Sequence, residues 1–231
     1  MSTQIALNFQ TVTDEDIKKY VTIKNGSSIF PRKYSTLLCY VHSRHLHNID
    51  TLQHLVSMGC NLNQRDRYGS TALLWCCVRN SITMEAMKFL LAAGADPNIG
   101  SERGDTPIIA LCKFYRPPLD KIELLIKYKA ILNFNESKIK SPLHWACEQR
   151  ADDTLELVKL LIEKGSNVNL IDKNNKTALH YALSDIYYNL PIIKLLIDNN
   201  ADLTIEDKEG KTPLMLINDS KLNLEQLISK K

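Results

Sequence analysis

The sequence predicts an all-α solenoid of about six stacked helix–turn–helix repeats, each about 35 residues long and each carrying a turn or hairpin finger. Three observations predict it. A phrase of Thr or Ser followed by apolar residues returns as Thr71-Ala-Leu-Leu, Thr106-Pro-Ile-Ile, Ser141-Pro-Leu-His, Thr177-Ala-Leu-His and Thr212-Pro-Leu-Met, with a weaker copy at Thr36-Leu-Leu-Cys. The six registers step by 35, 35, 35, 36 and 35 residues. Two apolar runs at helical spacing fill each period, the second represented by Leu155, Val158, Leu161 and Ile162 or by Ile192, Ile193, Leu196 and Ile197. Polar segments rich in Asn, Asp and Gly then lead to the next phrase. A fixed period of this size marks an array in which each unit touches only its neighbours. Function is therefore expected on a long surface and not in one pocket.

Residues 1–34 do not repeat. Thr13-Asp-Glu-Asp16 ahead of Ile17, Tyr20 and Val21 reads as a helix start, since acidic residues are favoured in a first turn. This segment is assigned as an N-terminal helical cap over the open face of the array, with Gly26 to Lys33 as its link. The array itself spans 35–231, with repeats starting near 35, 70, 105, 140, 176 and 211, all in a single folded domain. In each repeat the Thr or Ser opens a short first helix, such as Leu143-His144-Trp145-Ala146-Cys147 or Leu179-His180-Tyr181-Ala182-Leu183. The second helix closes on Gly94-Ala95, Asn200-Ala201, Gly59 or Gly165, residues that accept the left-handed conformation. The segments Asn61 to Gly69, Asn167 to Asp172 and Asp202 to Gly210 use the local hydrogen bonding of Asn and Asp and the tolerance of Gly for positive φ. Leu222, Leu224, Leu227 and Ile228 form the last second helix, so the final repeat doubles as the C-terminal cap.

The T-P-L-H phrase, the Val/Ile-x-x-Leu-Leu second helix, the Gly-Ala-Asp step and the Asp-x-x-Gly turn together resemble the ankyrin repeat, whose usual period is about 33. The resemblance covers roughly residues 35–231 and rests on several elements recurring at fixed offsets in five copies. The extra residues of each period fall between the two helices, as in Phe114-Tyr115-Arg116-Pro117-Pro118 and Ile186-Tyr187-Tyr188-Asn189. Pro117, Pro118 and Pro191 stand where one helix stops and the next begins, positions that tolerate proline. Lys129 and Asn200 replace the Gly that ends the second helix, and an irregular turn is expected mainly at Lys129. The resemblance also implies that His144 and His180 hydrogen-bond to neighbouring turn backbone and to the Ser or Thr hydroxyls, a structural role.

At 231 residues, 44% hydrophobic and 24% charged, the chain can bury an extended core. No run approaches 18 apolar residues, and the first residues lack a basic start followed by an apolar block, so neither a membrane span nor a secretory signal is expected. The expected location is cytoplasmic, with a nuclear site or delivery into a host cell left open. Cys77, Cys112 and Cys147 share one offset in successive first helices, with Cys39 and Cys76 nearby, and read as small buried residues. Adjacent helices lie about 8–10 Å apart, beyond disulfide reach, so these thiols are expected to stay reduced. The cluster Cys39, His42, His45 and His47 carries Arg44 among its members and is assigned no metal. There is no phosphate-binding glycine loop, no H-E-x-x-H and no nucleophile turn, so catalytic, cofactor-binding and metal residues are each set at none.

The expected function is that of a non-enzymatic protein-interaction module, an adaptor, inhibitor or targeting subunit. The resemblance implies that the partner is held on the concave side, by the turn tips before each phrase and the exposed end of each first helix. Those offsets give Arg67, Tyr68 and Arg79 in the second repeat, then Arg103, Lys113, Phe114, Tyr115 and Arg116 in the third. The fourth supplies Lys138, Lys140, Gln149 and Arg150, and the fifth Lys173 and Lys176. This basic stripe points to an acidic protein partner; the alternative is a polyanion or nucleic-acid binder, which a net charge of only +3 disfavours. A monomer with no small-molecule substrate and no cofactor is expected. Trp75, Trp145, Tyr40 and Tyr181 recur one residue after the T-P-L-H phrase and are assigned to packing between the first helices and the inter-helix segments.

Overall fold

The computed structural model describes residues 49–57, 59–78, 84–134, 139–149, 154–184 and 189–219. The N-terminal cap assigned to 1–34, the start of the repeat near 35 and the Leu222 to Ile228 helix lie outside the described residues. Ten helices are described: α1 (Ile49–Ser57), α2 (Ala72–Val78), α3 (Met84–Ala92), α4 (Pro107–Cys112), α5 (Leu119–Lys127), α6 (Pro142–Glu148), α7 (Thr154–Glu163), α8 (Ala178–Ala182), α9 (Leu190–Asp198) and α10 (Pro213–Asp219). The chain divides into two compact units between Pro107 and Ile108, at the start of α4.

Each described first helix starts where the recurring phrase places it. Ser141 has extended backbone and its hydroxyl accepts the His144 N–H, with Pro142 fixing the first helical turn of α6. Thr71 Oγ1 accepts the Leu74 N–H at 3.2 Å, and Thr212 Oγ1 the Met215 N–H at 3.2 Å. After the inter-helix segment, Pro118 is the N-cap of α5, and the Asn189 side chain accepts the Ile192 N–H ahead of Pro191 in α9. The prolines thus stand where a backbone donor is not needed.

One closure ends the described second helices. At Gly165 (φ 91°) the N–H donates to the Ile162 carbonyl and the Ser166 N–H to Leu161, the paired bonds that satisfy the last carbonyls of α7. Lys129 (φ 68°) makes the same pair with Ile126 and Leu125, and Asn200 (φ 63°) with Ile197 and Leu196. The irregular turn expected at Lys129 is therefore absent. The paired bonds outweigh the steric cost of placing a Cβ in left-handed backbone, about 1–2 kcal/mol.

In the first unit α2 packs on α3 and α1 on α3; in the second, α6 packs on α7 and α8, α8 on α9 and α10, and α7 on α9. The core consists of side chains at helical spacing: Leu52 and Leu55 in α1, Leu73 and Leu74 in α2, Met87 and Leu90 in α3, then Ile122 and Leu125 in α5, Leu157 and Leu161 in α7, and Ile192 and Leu196 in α9. Each such burial contributes about 1.5–3 kcal/mol. Cys76, Cys77, Cys112 and Cys147 are buried and form no disulfide among the described residues, and burial pushes the thiols of Cys112 and Cys147 well up.

Hydrogen bonds one period long join the turns. Asn63 Oδ1 accepts the Asp96 N–H, and Asn133 both accepts from the Asn167 N–H and donates to the Gly165 carbonyl. Asn169 repeats the arrangement with Asp202 and Asn200. Asn61 and Asn167 instead bond locally, to the N–H two residues on. The sequence assigns Asn61, Asn63, Asn167 and Asn169 to local turn bonding; Asn63 and Asn169 in fact bind the next repeat. Leu161 and Leu196 are both 0% exposed, so Leu161→Ala or Leu196→Ala should cost about 2–5 kcal/mol in urea unfolding. Lys129→Gly should raise stability by about 0.5–1 kcal/mol, relief of Cβ strain exceeding the added chain entropy; a loss of stability would show that the Lys129 side chain contributes more than its backbone strain costs.

Candidate functional site

The site begins with a carboxylate in the turn. Asp172 Oδ1 accepts the N–H groups of Asn174 and Lys176, and Oδ2 accepts the Tyr181 hydroxyl at 2.7 Å. Burial opposes its charge, but these bonds and the nearby His144 prevail and leave the carboxyl below its ordinary value. Burial together with the Asp172 carboxylate pushes the Tyr181 hydroxyl upward, so it stays protonated as a donor. Asp66 is built alike: Oδ1 accepts from Tyr68 and Ser70 N–H, and Oδ2 from Trp75 Nε1 at 2.8 Å. Asp207 takes the two backbone bonds from Glu209 and Lys211, while Lys176 Nζ lies 3.7 Å from its Oδ2.

Two histidines tie these turns to the first helices. His144 Nδ1 lies 3.1 Å from the Ser141 backbone N–H and 2.7 Å from its hydroxyl. An N–H can only donate, so Nδ1 carries the lone pair and the proton sits on Nε2, which donates to the Lys176 carbonyl at 2.9 Å. His180 repeats the pattern with Thr177 and the Lys211 carbonyl at 3.1 Å. These are the backbone and hydroxyl bonds that the resemblance implied. Burial, partly offset by the carbonyl each ring donates to, holds both imidazoles below their ordinary 6.5.

Around this frame the second unit gathers lysines on aromatic rings. Lys113 Nζ stands 4.1 Å from the Trp145 ring centroid, and Lys140 Nζ 4.7 Å from Trp145 and 4.1 Å from Tyr181. Lys140 also bonds Glu148 Oε1 at 2.7 Å, with its side chain only 19% exposed. Such contacts contribute about 0.5–2 kcal/mol each, more as the cation is desolvated. Trp145 Nε1 is buried with no hydrogen-bond partner among the described residues, in contrast with Trp75. These aromatics were assigned to packing between helices and inter-helix segments. Instead Trp75, Trp145 and Tyr181 are half-buried beside the turns, because the polar atoms of Trp75 and Tyr181 are drawn to turn carboxylates and the Trp145 ring to lysines.

The first unit brings Arg67, Tyr68 and Arg103 to adjoining turns. The Glu102 N–H donates to the Tyr68 carbonyl, Arg67 stacks 4.5 Å from the Tyr68 ring centroid, and Arg67 and Arg103 are exposed. Close approach here requires Gly69, where a Cβ would stand 2.9 Å from the Glu102 nitrogen. In the second unit Lys113 and Phe114 are half-buried, whereas Tyr115 and Arg116 project from the segment between α4 and α5. Lys140, Gln149 and Lys176 are half-buried and Lys173 is exposed; Arg79, Lys138 and Arg150 lie outside the described residues. The cluster thus joins Lys113 to Lys140 through Trp145, Tyr181 and Glu148. The available sequence signal was a Lys immediately before the Ser or Thr of the phrase, at Lys140 and Lys176, paired with an aromatic five residues later.

A family model described as ankyrin repeats in three copies matches residues 81–169 and 149–228. The chain belongs to the ankyrin-repeat family. It is 31% identical over 153 residues to the ankyrin repeat protein L271 of Acanthamoeba polyphaga mimivirus, a match covering 58% of this chain and 20% of that protein. It is 26% identical over 149 residues to the ankyrin repeat protein FPV230 of fowlpox virus, covering 60% and 70%. The chain spans only 20–29% of the length of three of the mimivirus relatives it matches. Among solved structures it is similar to the ankyrin repeat domain of Bcl-3, with TM-score 0.65 over 80% of this chain and 78% of that one, at 24% identity. That likeness is one of fold.

Ankyrin repeats are generally protein-interaction modules. Among the described residues no group of three or more His, Cys, Asp or Glu could hold a metal ion, and no helix is long and apolar enough to cross a membrane. Cys39, His42, His45 and His47 lie outside them. The ankyrin histidines give a pH signature. Their folded pKa values lie below 6.5, so the stability that their neutral rings contribute is complete above pH 6.5 and is lost as the pH falls below it through the folded values. The urea midpoint should therefore be flat from pH 8 to 7 and drop towards pH 5, with a shallower drop in a His144→Gln/His180→Gln variant. Equal slopes would remove the histidines as the cause.

Proposed function

We propose that this ankyrin-repeat chain is a non-enzymatic adaptor, inhibitor or targeting subunit that holds an acidic protein partner on its turn tips and first-helix ends. One observation carries the reading. Aromatic rings and cations are placed together on these elements in each unit: Arg67 on the half-exposed Tyr68 in the first, Lys113 and Lys140 on Trp145 in the second. Tyr, Trp and Arg are the residue types that dominate binding hot spots. Side chains already ordered in the free protein lose little further freedom on binding.

The pairing of Lys140 with Glu148 and of Lys176 with Asp207 supports a protein partner over a nucleic acid, because it removes cations that a phosphate backbone would use. Relatives from mimivirus, fowlpox virus and variola virus support work inside a host cell, and the cytoplasm is the proposed place. We take the active species to be a monomer.

The test is affinity capture from the native cell, read by mass spectrometry, with wild type beside a folded Arg67→Glu/Arg103→Glu/Lys113→Glu/Arg116→Glu variant. The variant should lose one discrete protein partner. An unchanged partner list would move the binding surface elsewhere and reduce these cations to solubilising charge.

A further inference from the structure

The Trp145 ring holds two ammonium groups. With Nζ atoms 4.1 and 4.7 Å from its centroid, Lys113 and Lys140 lie within about 9 Å of each other. Within this cluster the carboxylates differ in what they can still do. Asp172 is buried and its oxygens are taken by Tyr181, Asn174 and Lys176, so it is committed to the turn. Glu148 faces outward, 37% exposed, with its carboxylate bonded to Lys140. It is also the last residue of α6, where the helix dipole disfavours a negative charge.

We propose that the Lys113–Trp145–Lys140 cluster receives an acidic segment of a partner protein presenting two carboxylates side by side, and that Glu148 holds on Lys140 the place that one of them takes. This rests on the protein-interaction reading above and names the chemistry of the partner segment. In an extended chain, alternate residues share a side and stand about 6.5–7 Å apart, below the about 9 Å that bounds the separation of the two ammonium groups. Lys140 is ordered by Tyr181 and Trp145 before any partner arrives, so the incoming carboxylate meets a cation already in place. The exchange keeps Lys140 paired throughout: the Glu148 carboxylate moves to solvent, away from an unfavourable helix end, as the partner's carboxylate moves in.

The probe is a fluorescein-labelled ten-residue peptide of alternating Glu and Ser, titrated with the full chain and followed by anisotropy at fixed salt. Saturable binding is expected, with none for the alternating Gln and Ser peptide. Lys113→Gln and Lys140→Gln should each weaken binding about tenfold, the effect of a hot-spot residue. Glu148→Gln should tighten it about threefold or more, whereas Glu156→Gln should leave it within about twofold. Glu156 pairs with Lys159 in α7, so the two variants change net charge equally and differ only in place. If Lys140→Gln fails to fold by circular dichroism, Lys113→Gln and Glu148→Gln carry the decision. The proposal is overturned if the Glu peptide does not bind, if Glu148→Gln and Glu156→Gln behave alike, or if Glu148→Gln weakens binding. Absence of peptide binding, with the natural partner still lost from the four-cation variant, removes this inference alone; absence of peptide binding with that partner retained removes the surface reading as well.

Discussion

The bond from His144 Nε2 to the Lys176 carbonyl, one repeat further along, is the constraint from which most of the second unit follows. A buried ring nitrogen or carbonyl left without its partner costs about 1–3 kcal/mol, and here the two ends of each such pair belong to different repeats. His180 with Lys211 imposes the same condition, and the exposed bonds of Asn133 with Asn167 and Asn169 with Asp202 likewise run between successive repeats. A repeat cannot therefore satisfy its own polar groups any more than it can bury its own apolar face. Side-chain polarity and core burial demand the same stacking, and that agreement between levels is what gives a sequence one structure.

The same turns prepare the surface. Asp172 holds its finger by two backbone bonds and uses its remaining oxygen to orient Tyr181. Tyr181 then offers its ring to Lys140, which reaches Trp145 on the preceding first helix. On the proposed reading stacking and recognition share one set of residues, so the half-buried aromatics beside the turns are neither pure core nor pure surface.

The period, the opening Thr or Ser and the helix-spaced Leu and Ile residues made the fold legible, because each follows a local rule of capping or burial. Lys129 was misjudged because its residue type argues against left-handed backbone, whereas the two closing bonds that force it there are visible only in three dimensions. The split roles of Asn167 and Asn169 escaped for a related reason: both are turn formers by composition, and only register decides which one meets the next repeat. At the candidate site the sequence located the cations but not their company. Lys140 and Glu148 are eight residues apart and Lys113 and Trp145 lie in successive repeats, distances that charge counting cannot bridge.

The prolines and added residues between first and second helices have an evolutionary side. The period-spanning bonds described above attach to the turns, to the first-helix histidines and to the ends of second helices, and none attaches to the stretch from Phe114 to Pro118. Length at that joint is thus uncoupled from phase. A lineage can gain or shed residues there without shifting the frame in which successive units meet, so the unit length of such a chain is free to drift while its stacking is inherited unchanged.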